Sequence, residues 1–234
     1  MLLAEELTLL ALDPQSGKLR NPDGRGARAL AGALLLDLAH AGHVALEPGD
    51  ILVLADTSPR QPLLGSGLSL LTGQVPLSVR DAVHHLAATL PETVLGSMAT
   101  RGLLRREESR TVVLKIHVRW HPTAPAMSDA VRADLASILD SAGPEASSSA
   151  PVLGRREAGL LTVLGGADLL DFVETPTDAA AAARQRSWCA DVAQGQRCLH
   201  SVADDVLAFQ RAVHAGLTSA PAAHPASEQR AAAV

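Results

Sequence analysis

A leucine- and alanine-rich segment between residues 27 and 41 constrains the fold more than any other part of the sequence. Its leucines at helical spacing are Leu30, Leu34 and Leu38. Two further leucines widen this stripe until little polar surface remains, which is typical of a helix that other elements surround. Gly42 follows at the position expected for a C-terminal cap. We therefore predict that this segment forms the most buried helix of the chain.

The composition favours helices in the rest of the chain as well. Only 2% of the 234 residues are aromatic and 47% are hydrophobic, so leucine, valine and alanine must fill the core. Such a composition disfavours a β-sandwich or barrel. Two cysteines do not make a disulfide-rich scaffold, and a net charge of −5 argues against a general nucleic-acid coat. The length suits one large domain with a sizeable core.

Periodicity and turn signals predict the remaining elements. Further helices are expected over residues 2–12, 79–90 and 92–101, from Ser128-Asp129 onward, and over residues 155–164, 167–173, 178–193 and 201–217. Short strands are expected at residues 44–46 and 50–55. Prolines and glycines interrupt residues 57–74, which we predict to be irregular. The fold class is thus mainly α, with one helical domain at residues 1–217 and a disordered tail at residues 218–234.

A β-hairpin is predicted after the helix at residues 92–101. Its strands are placed at residues 103–106 and 111–118, on either side of the acidic segment at residues 107–109. Basic residues are concentrated on it, with a tryptophan at its base: Arg105, Arg106, Arg110, Lys115, Arg119 and Trp120. Tryptophan beside arginine suits a membrane interface, and a solvated charged surface is the alternative.

A second group of arginines lies in the loop that precedes the central helix or at the start of that helix. These residues are Arg20, Arg25 and Arg28. The N–H groups and the dipole of the helix N-terminus would add to an anion site there.

The usual signatures of catalysis are missing from the sequence. It has no GxxxxGK[ST] or GxGxxG loop and no GxSxG elbow, and its histidine pairs lack the spacing of a zinc site. We expect no enzyme, no cofactor and no metal.

The first residues are acidic where a signal peptide needs bases, and no apolar run reaches the ~20 residues of a membrane span, so a cytoplasmic location is expected.

Five segments, taken in order, resemble the Golgi phosphoprotein 3 family. They are LLAEELTLLALDPQSGKL, ALAGALLLDLAHAGHVAL, the helix and hairpin around RGLLRRE, WHPTAPAMSDAVRADLASIL and GRREAGLLTVLGGADLLDFV. The composition favours a bacterial member. The resemblance implies a single, mainly α-helical domain with a projecting hairpin that takes part in self-association and membrane contact. Eukaryotic members of the family bind phosphatidylinositol 4-phosphate on Golgi membranes and act as adaptors for glycosyltransferases; they are not enzymes.

The resemblance also identifies where the family's lipid pocket would lie. Pro22 stands at the family's tryptophan, and Ala31, Ala88 and Pro91 stand at its three arginines, so none of these side chains is retained. Arg28 lies one turn before Ala31 on the same helix face and is expected to reach the same pocket.

These observations lead to one function hypothesis and two alternatives. We predict a peripheral membrane protein that binds phosphatidylinositol 4-phosphate or another anionic headgroup through arginines, with possible homo-oligomers formed through the hairpin. A soluble adaptor that docks proteins and has lost lipid binding is the first alternative. A winged-helix DNA-binding protein, with residues 92–101 as its recognition helix, is the second, although that helix offers few polar readers and nucleic acid is not an expected partner.

Overall fold

A computed structural model of the chain describes residues 1–54, 59–74, 76–110, 116–141, 153–196 and 204–219. Within these residues the fold is mainly α-helical, as predicted. The helices are α1 (Leu3–Ala11), α2 (Arg25–His40), α3 (Pro62–Leu71), α4 (Val79–Ala87), α5 (Leu90–Thr100), α6 (Pro125–Asp140), α7 (Arg155–Gly166), α8 (Ala179–Ala193) and α9 (Asp204–Thr218). Short 3-10 helices occur at Pro22–Gly24 and Leu170–Phe172. The strands are β1 (Val44–Glu47), β2 (Asp50–Val53), β3 (Leu77–Ser78), β4 (Leu104–Arg110) and β5 (Ile116–Pro122).

Helix α2 lies at the centre of the molecule, as its leucines predict. It packs against α1, α4, α7 and α9. Its largest fully buried side chains are Leu30, Leu34, Leu35, Leu36 and Leu38. Small strands β1, β2 and β3 form an antiparallel sheet beside this helical core.

The prediction of irregular structure at residues 57–74 is wrong for α3. Pro62 occupies the first turn of this helix, where its fixed φ is favourable and its missing N–H is not needed. A Cβ at Gly67 would lie 2.5 Å from the Leu34 side chain, so glycine permits α3 to pack closely against α2. The glycines that suggested a loop are therefore, at least at this position, a packing requirement.

Two other helix predictions need correction. Residues 167–173 form only the 3-10 turn Leu170–Phe172, because Asp168 adopts a left-handed backbone conformation with φ 54° just after α7. Helix α6 begins at Pro125 rather than being capped by Ser128-Asp129. The buried Ser128 hydroxyl instead donates to the Leu9 carbonyl, at 2.9 Å.

The β-hairpin is confirmed, but its strands lie elsewhere than predicted. Glu107 and Glu108 are in the middle of β4, not in a turn, and pair with Arg119 and Val118. Opposite charges at the pair of Glu107 and Arg119 favour this register. Strand β5 continues to Pro122, opposite Leu104, beyond the predicted end at residue 118.

Parts of the predictions lie outside the described residues. This holds for residues 111–115, which join the hairpin strands, and for residues 142–152 and 197–203. Of the predicted tail only residues 218 and 219 are described, and Thr218 is the last residue of α9.

The N-terminus of α1 is held by carboxylates that are buried in the core. Asp37 of α2 accepts hydrogen bonds from the Leu3 and Ala4 backbone N–H groups, at 2.9 and 3.1 Å. Glu5 pairs with Arg101, and Glu6 accepts from Arg156 Nε at 2.7 Å. The negative charges of Glu5 and Glu6 lie in the first turn of α1, where the positive end of the helix dipole favours them.

Candidate functional site

A cleft of about 330 Å³ opens where three distant segments meet. We call it the loop–hairpin cleft. The contributing segments are the first loop (residues 12–24), the first two turns of α5, and one face of the hairpin. The lining residues are Lys18, Leu19, Asn21, Pro91, Glu92, Leu95, Arg106, Val118 and Trp120.

The first loop has a defined shape that brings it against the hairpin. Asp13 accepts hydrogen bonds from the backbone N–H groups of Ser16 and Gln15, both at 2.8 Å, and these bonds lower the pKa of its carboxyl group. Gly17 has φ 63°, and its carbonyl accepts a 2.7 Å hydrogen bond from the backbone N–H of Trp120. The loop is therefore hydrogen-bonded to β5 at the edge of the cleft.

One face of the hairpin supplies a cation and an indole to the cleft. Arg106 and Trp120 are cross-strand partners, and the Arg106 guanidinium carbon lies 5.8 Å from the indole ring centroid. Arg106 also forms an ion pair with Glu108, two residues along the same face. Trp120 is half-buried against the core, so its ring is held between the protein interior and the cleft.

The residues that line the cleft carry more positive than negative charge. Lys18 and Arg106 contribute two positive charges and Glu92 contributes one negative charge, which gives a formal net charge of +1. Leu19, Leu95 and the other apolar residues form the rest of the wall. This combination of two cations, one carboxylate and an aromatic ring fits an anionic polar group attached to apolar material.

The arginines predicted from the first loop and α2 contact three different sets of protein partners. Arg20 lies over the Phe172 ring, 4.1 Å from its centroid, and burial lowers the pKa of its guanidinium. It also donates to the Leu10 carbonyl at 2.7 Å. Arg28 donates to the Asp23 carbonyl at 3.3 Å. Their role as headgroup ligands stays a prediction.

Arg25, the first residue of α2, lines a second cleft of about 260 Å³, together with residues 168–176 and α8. Its Nη1 is 2.9 Å from Asp168 Oδ2 and 3.0 Å from the Asp168 carbonyl. Arg186 lies on the other carboxylate oxygen at 3.8 Å. Asp168 therefore neutralises both cations in part, and the second cleft is a weaker anion site than the number of its arginines suggests.

The remaining predicted hairpin residues face away from the loop–hairpin cleft or lie outside the description. Arg105 and Arg119 are on the outer face, where Arg119 is the cross-strand partner of Glu107. The Glu107 carboxylate also lies 3.8 Å from the Arg105 guanidinium and contacts His121. Arg110 ends β4, and its side chain lies outside the description, as does all of Lys115. The outer face thus carries mixed charges.

Sequence reasoning identified Arg106 and Trp120 but did not select Lys18, Asn21 or Glu92. Those three residues become neighbours of the hairpin only through the packing of the first loop and α5. The presence of a lone lysine in a polar loop was the only signal available for Lys18.

Two of the four positions that the resemblance assigns to the family's lipid pocket lie at this cleft. Pro91 lines the cleft, and Pro22 follows directly on the lining residue Asn21. Ala88 is exposed in the residues before α5, whereas Ala31 is completely buried in α2. The loop–hairpin cleft therefore includes or adjoins two of the four positions, and its cations come from other residues.

Comparison with models of protein families shows that residues 3–224 match the family described as Golgi phosphoprotein 3 (GPP34). A search of curated proteins gives no significant match. In the described part of the chain, no helix combines the length and the apolar character needed to cross a bilayer.

Proposed function

The chain belongs to the Golgi phosphoprotein 3 family, and from this membership we propose that it is a peripheral protein that binds anionic phospholipid headgroups without catalysing a reaction. The family is associated in general with phosphoinositide binding. The observation that carries the proposal is the meeting of Lys18, Arg106 and Trp120 in a cleft beside Pro91, one of the family's pocket positions.

The proposed attachment is electrostatic, with an apolar contribution from the indole. Lys18 and Arg106 donate charge-assisted hydrogen bonds to the headgroup phosphate. In the proposed attachment, Trp120 lies between headgroups and acyl chains, the level at which an amphipathic ring is stable. The proposal includes phosphatidylinositol 4-phosphate and other anionic headgroups. It is not restricted to one lipid because the cleft cations differ from those of the family pocket.

A single cleft gives weak and reversible attachment. Each basic residue near an anionic surface contributes about 1 kcal/mol, so the two cleft cations together contribute about 2 kcal/mol. Self-association through the hairpin, which we include in the proposal, would multiply this affinity through avidity. The outer-face residues Arg105 and Arg119 are exposed and would contact the bilayer or the second subunit.

Vesicle co-sedimentation tests the proposal. Vesicles of phosphatidylcholine alone, with phosphatidylglycerol, and with phosphatidylinositol 4-phosphate are compared at low and physiological ionic strength. We expect binding to the anionic vesicles that weakens as salt screens the charges. The double variant Lys18→Ala/Arg106→Ala should bind about 30-fold more weakly, which corresponds to the loss of about 2 kcal/mol.

A matched variant separates the cleft from general charge. Arg60→Ala/Arg184→Ala removes the same charge from two exposed residues outside the cleft lining and should bind nearly as wild type. Equal weakening in both double variants would contradict the cleft. Failure of the wild-type protein to bind anionic vesicles even at low salt would reject lipid binding and favour a protein-docking adaptor.

A further inference from the structure

This inference rests on the proposed function. We infer that Glu92 is a specificity-determining residue of the loop–hairpin cleft. Because of Glu92, the cleft binds a phosphodiester headgroup that ends in hydroxyl groups in preference to a headgroup with an additional phosphate monoester. The group selected is thus a singly charged phosphoglycerol or phosphoinositol. Glu92 would act by limiting the negative charge that the cleft accepts and by accepting hydrogen bonds from the headgroup.

Glu92 contributes a carboxylate to the wall of the cleft in which the proposed headgroup would lie. It is the third residue of α5, it is exposed, and it lines the same cleft as Lys18 and Arg106. The two cations come from the first loop and the hairpin, whereas Glu92 comes from α5, the third segment that forms the cleft. A headgroup held by the two cations therefore has a carboxylate within the same small space.

The charge of the lining fits a singly charged ligand. The lining residues Lys18, Arg106 and Glu92 have a formal net charge of +1, so the cleft suits a ligand with no more than about one negative charge. Glu108 also forms an ion pair with Arg106, which weakens the positive field further. A phosphate monoester adds about 1.5 to 2 negative charges at neutral pH, and this excess would face the Glu92 carboxylate.

The carboxylate also provides a favourable contact for one class of headgroup. An ionised carboxyl group only accepts hydrogen bonds, so its natural partner is a ligand with hydroxyl donors. Glycerol and inositol headgroups have such donors beyond the diester phosphate. A cleft with only cations would lack this preference and would bind the most highly charged lipid best.

The experiment compares the wild-type protein with Glu92→Gln, which keeps the side-chain shape and removes the charge. Binding is titrated with vesicles that contain phosphatidylglycerol, phosphatidylinositol, or phosphatidylinositol 4-phosphate, adjusted to equal total surface charge. We expect the wild type to prefer the two diester lipids. The substitution should raise the affinity for phosphatidylinositol 4-phosphate, relative to phosphatidylglycerol, about fivefold, the change expected for one charge near the surface.

Glu47→Gln is the matched control, because Glu47 is an exposed glutamate at the end of β1 and is not part of the cleft lining. An unchanged lipid preference in Glu92→Gln, with wild-type binding to anionic vesicles intact, would overturn this inference and leave the proposed function standing. An equal change in both variants would also overturn it. Absence of wild-type binding to every anionic vesicle would overturn the inference together with the proposed function.

Discussion

The buried carboxyl group of Asp37 provides a quantitative test of how the core is held together. Its side chain is on α2, with the residue only 6% exposed, and its two oxygens accept the N–H groups of Leu3 and Ala4. Leu2, the residue before α1, has no polar side chain that could cap the helix. Asp37 therefore acts as a cap supplied by another helix.

The pKa of Asp37 is raised to about 7, because burial and, to a smaller extent, the nearby Glu5 and Glu6 disfavour its charged form more than the two N–H bonds favour it. The folded state therefore binds the Asp37 proton more tightly than the unfolded state does. The stability that this provides is fully present below about pH 4 and is lost as the pH rises to about 7. A shift of about 3 pKa units corresponds to about 4 kcal/mol.

The variant Asp37→Asn separates charge from hydrogen bonding. The amide is neutral at every pH but has one acceptor oxygen instead of two, so one buried N–H loses its partner. That loss destabilises the variant by about 1 to 3 kcal/mol at all pH values. The variant should thus be less stable than wild type at pH 4 and more stable at pH 8, and the two stabilities should be equal between about pH 4.5 and about pH 6.

Urea denaturation followed by circular dichroism, at intervals from pH 4 to pH 8, measures both free energies of unfolding. The difference between the two proteins is the informative quantity, because other groups also titrate in this range. Burial lowers the pKa of His40 to about 4, for example, so His40 increases stability as the pH rises. Asp50→Asn, at an exposed position, is the control. A wild-type-minus-variant difference that does not change with pH would refute the reasoning.

Two further predictions concern the packing around α1 and the cleft. Arg156→Ala leaves Glu6, which is 3% exposed, without the cation at 2.7 Å and should destabilise the protein by about 2 to 3 kcal/mol in urea denaturation. The exposed Arg155→Ala should change stability by less than about 0.5 kcal/mol; similar losses in both variants would contradict the role of the pair. Gly17→Ala introduces a Cβ 2.8 Å from the Arg119 Cβ at a φ of 63°, so it should displace the first loop and weaken sedimentation with anionic vesicles without changing a charge. Unchanged vesicle binding would show that the contact between the loop and β5 does not shape the cleft.

The sequence predicts the helical core well because the core depends on local periodicity. The leucines of α2 recur at helical spacing, and all of them are buried in the structure. The helix predicted from residue 79 begins there, and the preceding Ser78 caps it by accepting a hydrogen bond from the Asp81 N–H. Such features depend on residues within a few positions of one another.

The predictions failed where tertiary packing decides the local structure. Gly67 reads as a helix breaker, yet the close approach of Leu34 makes glycine suitable there. Glu107 and Glu108 read as a turn, yet cross-strand partners stabilise them within β4. In both cases the deciding contact is made with a residue that is not close in sequence, which a local pattern does not contain.

The candidate site was only partly predictable for the same reason. Trp120 and Arg106 were selected because basic residues gather on the hairpin, and the Arg106 side chain is half exposed although it pairs with Glu108. The sequence also favoured Arg20 and Arg25, whose side chains are less exposed and bind protein partners outside the cleft lining. Whether an arginine is available to a ligand depends on the acceptors around it. Asp168, which holds Arg25, lies 143 residues away in the chain.

The register of the hairpin and the conformation of the first loop together determine which charges the cleft contains. Side chains alternate along a strand, so Arg106 and Trp120 face the cleft while Arg105 and Arg119 face away. A shift of one residue would exchange the two sets. The bond from the Trp120 N–H to the Gly17 carbonyl favours the observed register, because it joins β5 to the same loop that supplies Lys18. The loop thus has two roles in the cleft, since it contributes one cation directly and helps to select the strand face that contributes the other.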